Sequence, residues 1–108
     1  MYFIKRSLTQ SEWQCIMRVT LLFRGPLAKK FKEGIIEVEL DNNANLLDLL
    51  SIVIEREGNV RDVWSSPEMI DRDALILCNG IDIGLSRGLD TKMTEGDVIM
   101  VLPLIHGG

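Results

Sequence analysis

Seven consecutive residues near the end of the chain, Val98 to Leu104, carry neither a charge nor a polar side chain. A strand that shows one face to water alternates apolar with polar residues. A strand apolar on both parities sits centrally, buried on one face and covered or partner-binding on the other. The run therefore predicts a central strand, entered through the turn Glu95-Gly96-Asp97. It leads straight into Pro103-Leu104-Ile105-His106-Gly107-Gly108. Glycine lacks Cβ and leaves φ nearly unrestricted, so neighbouring walls can close on its backbone. The expectation is a carboxylate at Gly108 on a thin tether that reaches into a narrow cleft. A carboxylate is a poor electrophile until another protein activates it.

Two further strands are legible from their alternation. Met17, Val19, Leu21 and Phe23 share one parity, with Arg18 and Thr20 on the other and Leu22 interrupting the polar side. Arg24-Gly25-Pro26 ends that strand, because proline lacks the N–H and glycine frees the backbone. Leu27 to Lys32 form a connecting turn closed by Glu33-Gly34, and its lysines Lys29, Lys30 and Lys32 read as a solvated loop. Ile36, Val38 and Leu40 then alternate with Glu37 and Glu39, which predicts a hairpin partner for the first strand.

Asn45 is an N-cap candidate with Asp48 three residues on, near the positive end of the helix dipole. Leu46, Leu49, Leu50, Val53 and Glu57 fall at helical spacing; Leu47, Ile52 and Ile54 widen the apolar stripe. Gly58 reads as the C′ glycine that stops this helix of about three turns. Between Asn59 and Asp73 only a turn of helix over Val60 to Trp64 and a break at Ser65-Ser66-Pro67 are indicated, with Trp64 filling the core edge. Ala74 to Cys78 is a short buried strand ended by Asn79-Gly80, and Ile81-Asp82-Ile83-Gly84 a brief edge strand. Leu85 to Thr94 is a loop anchored by Leu85 and Leu89.

At 108 residues the chain has the size of one domain with a single modest core. One helix must cover one face of a small sheet, which is a two-layer α+β arrangement. Met1 to Ile16 shows no sustained period, apart from a capping-box pattern at Thr9-Gln10-Ser11-Glu12, and reads as an N-terminal extension (1–16) of unclear role, Met17 being a candidate start. The domain proper is 17–108.

The chemistry that the residues exclude narrows the function. Net charge is -4, with no basic face to meet phosphates, so no direct nucleic-acid partner is expected. No apolar run has the length of a membrane span, and Lys5-Arg6 is not followed by a signal-type apolar stretch. A cytoplasmic protein without a membrane partner is expected. Cys15 and Cys78 form no disulfide framework and lack metal spacing; Cys78, in the apolar run Ala74 to Cys78, reads as a buried inert thiol. No metal site is expected. The single histidine, His106, has no nucleophile or carboxylate beside it, and no glycine-rich phosphate loop is present, so no catalytic residues and no bound cofactor are expected. If Ile99 and Val101 face the helix, Met100, Leu102 and Leu104 face outward as a partner-binding patch.

Ile76-Leu77-Cys78-Asn79-Gly80, then Asp82, Leu85, Leu89-Asp90, Gly96-Asp97-Val98 and a terminal His106-Gly107-Gly108 resemble the β-grasp, ubiquitin-like sulfur carriers of the MoaD/ThiS type. The likeness is strongest to their ubiquitin-related modifier branch, which ends in His-Gly-Gly. Val101-Leu102-Pro103-Leu104 is instead similar to the segment before the glycines in MoaD. The resemblance runs from Met17 to Gly108 and is specific in the last thirty-odd residues.

It implies a mixed four- to five-stranded sheet packed on one main helix, with first and last strands parallel and central. Cys15 and Cys78 then lie on non-neighbouring strands, so no disulfide is expected between them. It implies a carrier, not an enzyme. An adenylyltransferase of the ubiquitin-activating or MoeB type would use ATP to activate Gly108, with Gly107, His106 and Ile105 recognised in the tail. A sulfurtransferase or other persulfide donor would convert the adenylate to a thiocarboxylate. The sulfur would go to a tRNA-thiolation enzyme, a molybdopterin precursor or thiazole, or the acyl group to lysines of target proteins, with Lys29, Lys30, Lys32 and Lys92 themselves candidate acceptors. Two alternatives stand beside this: the small subunit of molybdopterin synthase, working with a large subunit, and a ubiquitin-like interaction domain whose tail is never activated.

Overall fold

A computed structural model describes residues 2–4, 16–30 and 34–104. Six strands form one mixed sheet: β1 (Tyr2–Ile4), β2 (Ile16–Phe23), β3 (Ile35–Asp41), β4 (Ala74–Cys78), β5 (Ile81–Asp82) and β6 (Val98–Pro103). Their spatial order is β1-β3-β2-β6-β4-β5. β2 and β3 form the expected antiparallel hairpin, with Val19 opposite Val38 and Leu21 opposite Ile36. β6 lies parallel to β2 and antiparallel to β4, so it is central, as its double-sided apolar pattern requires.

The helix α1 (Leu46–Arg56) covers one face of this sheet. Its start is set by a reciprocal capping box, in which Asn45 Oδ1 accepts from the Asp48 N–H at 2.9 Å and Asp48 Oδ2 accepts from the Asn45 N–H at 3.0 Å. Leu46, Leu49, Leu50, Val53 and Ile54 are buried against Val19, Leu21, Phe23, Ile36, Val38, Ile76, Ile99 and Val101. Trp64 closes the edge of this core: 3% exposed, it stacks on Phe23 with ring centroids 6.3 Å apart.

The expected mixed sheet of five strands is present in β2 to β6, and Tyr2–Ile4 of the N-terminal extension adds a sixth by pairing with β3. The capping-box pattern at Thr9-Gln10-Ser11-Glu12 lies outside the described residues. Three expectations need correction. Gly58 does not stop α1 in a left-handed conformation. α1 ends at Glu57 in extended backbone, and Gly58 opens a short second helix, α2 (Gly58–Arg61). Ser65-Ser66-Pro67 is a helix start rather than a break. Ser66 caps, Pro67 occupies the first turn, and α3 (Pro67–Asp73) feeds directly into β4. Leu85 is no anchor, being 83% exposed; the short 3-10 turn that carries it is held by Ile83, which is buried.

Asn79 and Gly80 turn the β4–β5 hairpin with φ of 52° and 85°, the all-positive geometry of a type I′ turn. This hairpin is tied to the turn before β6. Asp97, 7% exposed, accepts from Asn79 Nδ2 at 2.9 Å, the Thr94 N–H at 2.7 Å and Thr94 Oγ1 at 2.8 Å.

Candidate functional site

The tail residues Ile105, His106, Gly107 and Gly108 lie outside the described residues. The structure does describe their base. β6 is paired with β2 up to Val101 and with β4 up to Pro103, which stands opposite Ala74. The Leu104 N–H then donates to the Asp73 carbonyl at 2.8 Å. The Asp73 side chain is itself fixed. Its carboxylate accepts from Trp64 Nε1 at 3.2 Å and from Arg72 Nε at 2.7 Å. A chain of polar contacts therefore runs from a core tryptophan to the last described residue. The hydrogen bond to Asp73, and then its charge, raise the Arg72 guanidinium above its already high ordinary value. On the other flank the Arg24 N–H donates to the Val101 carbonyl at 3.0 Å. The described chain thus ends in the sheet's middle, between Arg24 and Asp73.

The face of the sheet away from α1 is apolar around this exit. Ile99 and Val101 are buried on the helix side, so Met100 and Leu102 point to the other side, where both are half-buried; Leu104 is 51% exposed. Register brings Leu22 and Leu77 to either side of Met100, and Leu75 opposite Leu102. All three neighbours are half-buried on the same face. The patch of Met100, Leu102 and Leu104 is therefore wider than β6. Leu22, Leu75 and Leu77 were missed as members. Their signal was in the sequence: Leu22 breaks the polar parity of β2, and Leu75 and Leu77 occupy the parity of β4 opposite Ala74 and Ile76.

Cys78 is half-buried rather than buried, beside Ile81 and Ile83. Burial pushes its thiol pKa up, and the Asp97 charge pushes it further. The thiolate is disfavoured, which makes Cys78 a weak nucleophile. Cys15 lies outside the described residues. Among the described residues no three His, Cys, Asp or Glu side chains gather as metal ligands, and no helix is long and apolar enough to cross a membrane.

A mixed sheet with parallel central strands gripping one main helix is the β-grasp arrangement, and the protein is a β-grasp domain of the ubiquitin-like type. Among solved structures, the HVO 2177 protein of Haloferax volcanii matches with a TM-score of 0.68 at 20% identity, over 86% of this chain and 88% of that one. The small archaeal modifier protein 1 of Methanosarcina acetivorans matches with a TM-score of 0.65 at 22% identity, over 86% and 98%. A chain of the complex of subunits 1 and 2 of molybdopterin-converting factor from Helicobacter pylori matches with a TM-score of 0.54 at 26% identity, over 85% and 100%. No family model matches the chain, and no curated protein sequence does.

Proposed function

We propose that this chain is a ubiquitin-like sulfur carrier and protein modifier, and that Gly108 is its activated group. The observation that carries the reading is the course of β6. A central strand, fixed on both flanks and pinned at Leu104, runs without a break into a sequence that closes on His106-Gly107-Gly108. The fold shared with a small archaeal modifier protein and with a molybdopterin-converting factor complex supports it.

In this reading the chain is a co-substrate and supplies no catalytic residue. A carboxylate oxygen of Gly108 attacks the α-phosphorus of ATP on a ubiquitin-activating or MoeB-like enzyme, and pyrophosphate leaves. The terminal sulfur of a donor persulfide then attacks the acyl carbon and displaces AMP. A thiol cleaves the resulting acyl disulfide, is itself oxidised to a disulfide, and leaves a thiocarboxylate for tRNA thiolation. Alternatively a lysine amine of a target protein takes the acyl group and AMP leaves. Ile105, His106 and Gly107 are read by the enzyme's cleft as extended backbone, where donors and acceptors on both sides can hold them. The apolar face of Leu22, Leu75, Leu77, Met100, Leu102 and Leu104 is the docking surface beside the tail. The small subunit of a molybdopterin synthase is a second reading, favoured by the likeness to a chain from a two-subunit complex.

Intact-mass spectrometry tests the proposal. The chain is incubated with ATP, a persulfide donor and a cognate activating enzyme. The expected product has one terminal oxygen replaced by sulfur, or forms high-molecular-weight adducts, and deletion of Gly107-Gly108 abolishes both. An unchanged mass with no adducts would leave only an interaction domain. Stable co-purification with a large synthase subunit would select the second reading.

A further inference from the structure

The turn between β4 and β5 combines a reactive sequence with an unusual restraint. Asn79 is the one asparagine of the chain that precedes a glycine. With no Cβ on the following residue, the glycine nitrogen can close on the asparagine Cγ. Both residues are exposed, and a Cβ built at Gly80 would meet nothing within 4 Å, so water and hydroxide reach the turn. A type I′ turn favours this same pair, since both positions need positive φ. Turn geometry therefore accounts for the residue types, but not for what the Asn79 side chain does.

That side chain is fastened at both of its polar atoms. Nδ2 donates to Asp97 Oδ1 at 2.9 Å, and Oδ1 accepts from the Val98 N–H at 2.9 Å. The Asn79 N–H donates in turn to the Val98 carbonyl at 2.8 Å. Cyclisation requires Cγ to swing toward the Gly80 nitrogen, and the side-chain amide cannot swing while both of its bonds stand. Releasing two hydrogen bonds, one of them to a carboxylate, lowers the reactive population by on the order of ten- to a hundred-fold.

We propose that Asn79 is a latent deamidation site, held unreactive by Asp97 and Val98 and released to react when the β4–β5 hairpin comes away from the start of β6. In the reaction the Gly80 nitrogen forms a bond to Asn79 Cγ, and the Cγ–Nδ2 bond breaks. Nδ2 leaves as ammonia, taking the proton of the Gly80 nitrogen, and a succinimide ring remains. Water then opens the ring at either carbonyl, which leaves aspartate or isoaspartate at position 79. The net reaction consumes a water, releases an ammonia and adds a negative charge; nothing is oxidised or reduced. The product does not re-form the closed turn. A carboxylate at position 79 has no proton to donate to Asp97, which is 7% exposed, and like charges at hydrogen-bond distance repel. Isoaspartate also inserts an extra carbon into the main chain of a tight turn, next to the Cys78–Ile81 pair. Deamidation thus converts a reversible local opening into a permanent one.

The test incubates the full chain at mildly alkaline pH and reads deamidation at each asparagine by peptide mapping and mass spectrometry. In the folded native chain Asn79 is expected to react at least about ten-fold more slowly than in the same chain unfolded in urea. Asp97→Ala removes the acceptor of Nδ2 and is expected to raise the folded-state rate at Asn79 about ten-fold, with the rate at exposed Asn43 unchanged. A urea series on the native chain, below its unfolding transition, serves if that variant does not fold: the rate at Asn79 is expected to rise in step with amide exchange of Asn79 and Val98. Asn79→Asp reproduces one product and is expected to speed amide exchange at position 79 by at least about ten-fold. Equal rates at Asn79 in the folded and unfolded native chain, or no reaction there in the unfolded chain, would overturn the proposal. So would a folded Asp97→Ala chain that reacts no faster, or an Asn79→Asp chain whose exchange matches the native one.

Discussion

Two carboxylates show how differently burial acts on single residues. Asp97 is surrounded by donors, three of which converge on its two oxygens. Asp97→Ala leaves those donors without their partner at the junction of β6 and the β4–β5 hairpin, and should cost about 2–3 kcal/mol, measured as a shift in urea midpoint at unchanged m-value. Glu57 is nearly buried, and burial raises its pKa above the ordinary 4.5. A raised acid binds its proton more tightly in the folded chain than in the unfolded one. Its stabilising contribution is therefore complete below the unfolded value and is lost as pH rises through the folded value. Glu57→Gln removes that dependence, so its thermal midpoint should fall less than the native one between pH 4.5 and neutrality. A parallel fall in both proteins would refute the assignment to Glu57. Neither carboxylate's surroundings were visible in the sequence, where Asp97 was a turn residue and Glu57 one position on a helical stripe. Asp97 takes two donors from Thr94 in its own turn but the third from Asn79, 18 residues away, and Glu57 owes its surroundings to packing.

Elements were legible in proportion to how local their causes are. The alternations of β2 and β3 and the stripe and cap of α1 were read correctly, because period and capping are properties of a few adjacent residues. The short helices α2 and α3 were not. α3 spans seven residues, too few to show a period, and its start resembles a break because serine and proline suit both turns and helix N-termini. The β2–β3 connection supplies a test. Gly34 has φ +78°, and a Cβ built there would lie 2.5 Å from the Phe23 carbonyl oxygen and 2.9 Å from Ala28 Cβ. Gly34→Ala combines a left-handed backbone with a clash against main chain, and should lose at least ~2 kcal/mol. Asn43→Ala, an exposed turn substitution at the other end of β3, serves as the control. A Gly34→Ala protein as stable as the control would mean that the connection is free to move.

For the whole molecule, the decisive arrangement is that the apolar sheet face and the terminal segment share β6. Leu102→Asp places a charge beside Leu75 on the face away from the core, so folding should persist with a dispersed amide spectrum. Binding to an activating enzyme should fall at least ten-fold, since a charge there must be desolvated on docking. Retained binding would remove the face from the docking surface while leaving the Gly108 chemistry standing. The sequence alone determined the α+β class, the central position of the last strand and the chemical character of the tail, since each follows from side-chain types read a few residues at a time. Only the tertiary structure decided that Leu22, Leu75 and Leu77 join Met100 and Leu102. The same holds for Asp73, which ties Trp64 to the root of the tail, and for Tyr2–Ile4, which lies on the β3 edge. Each of these depends on register between segments far apart in the chain, and a shift of one residue in any strand would turn its side chains to the opposite face.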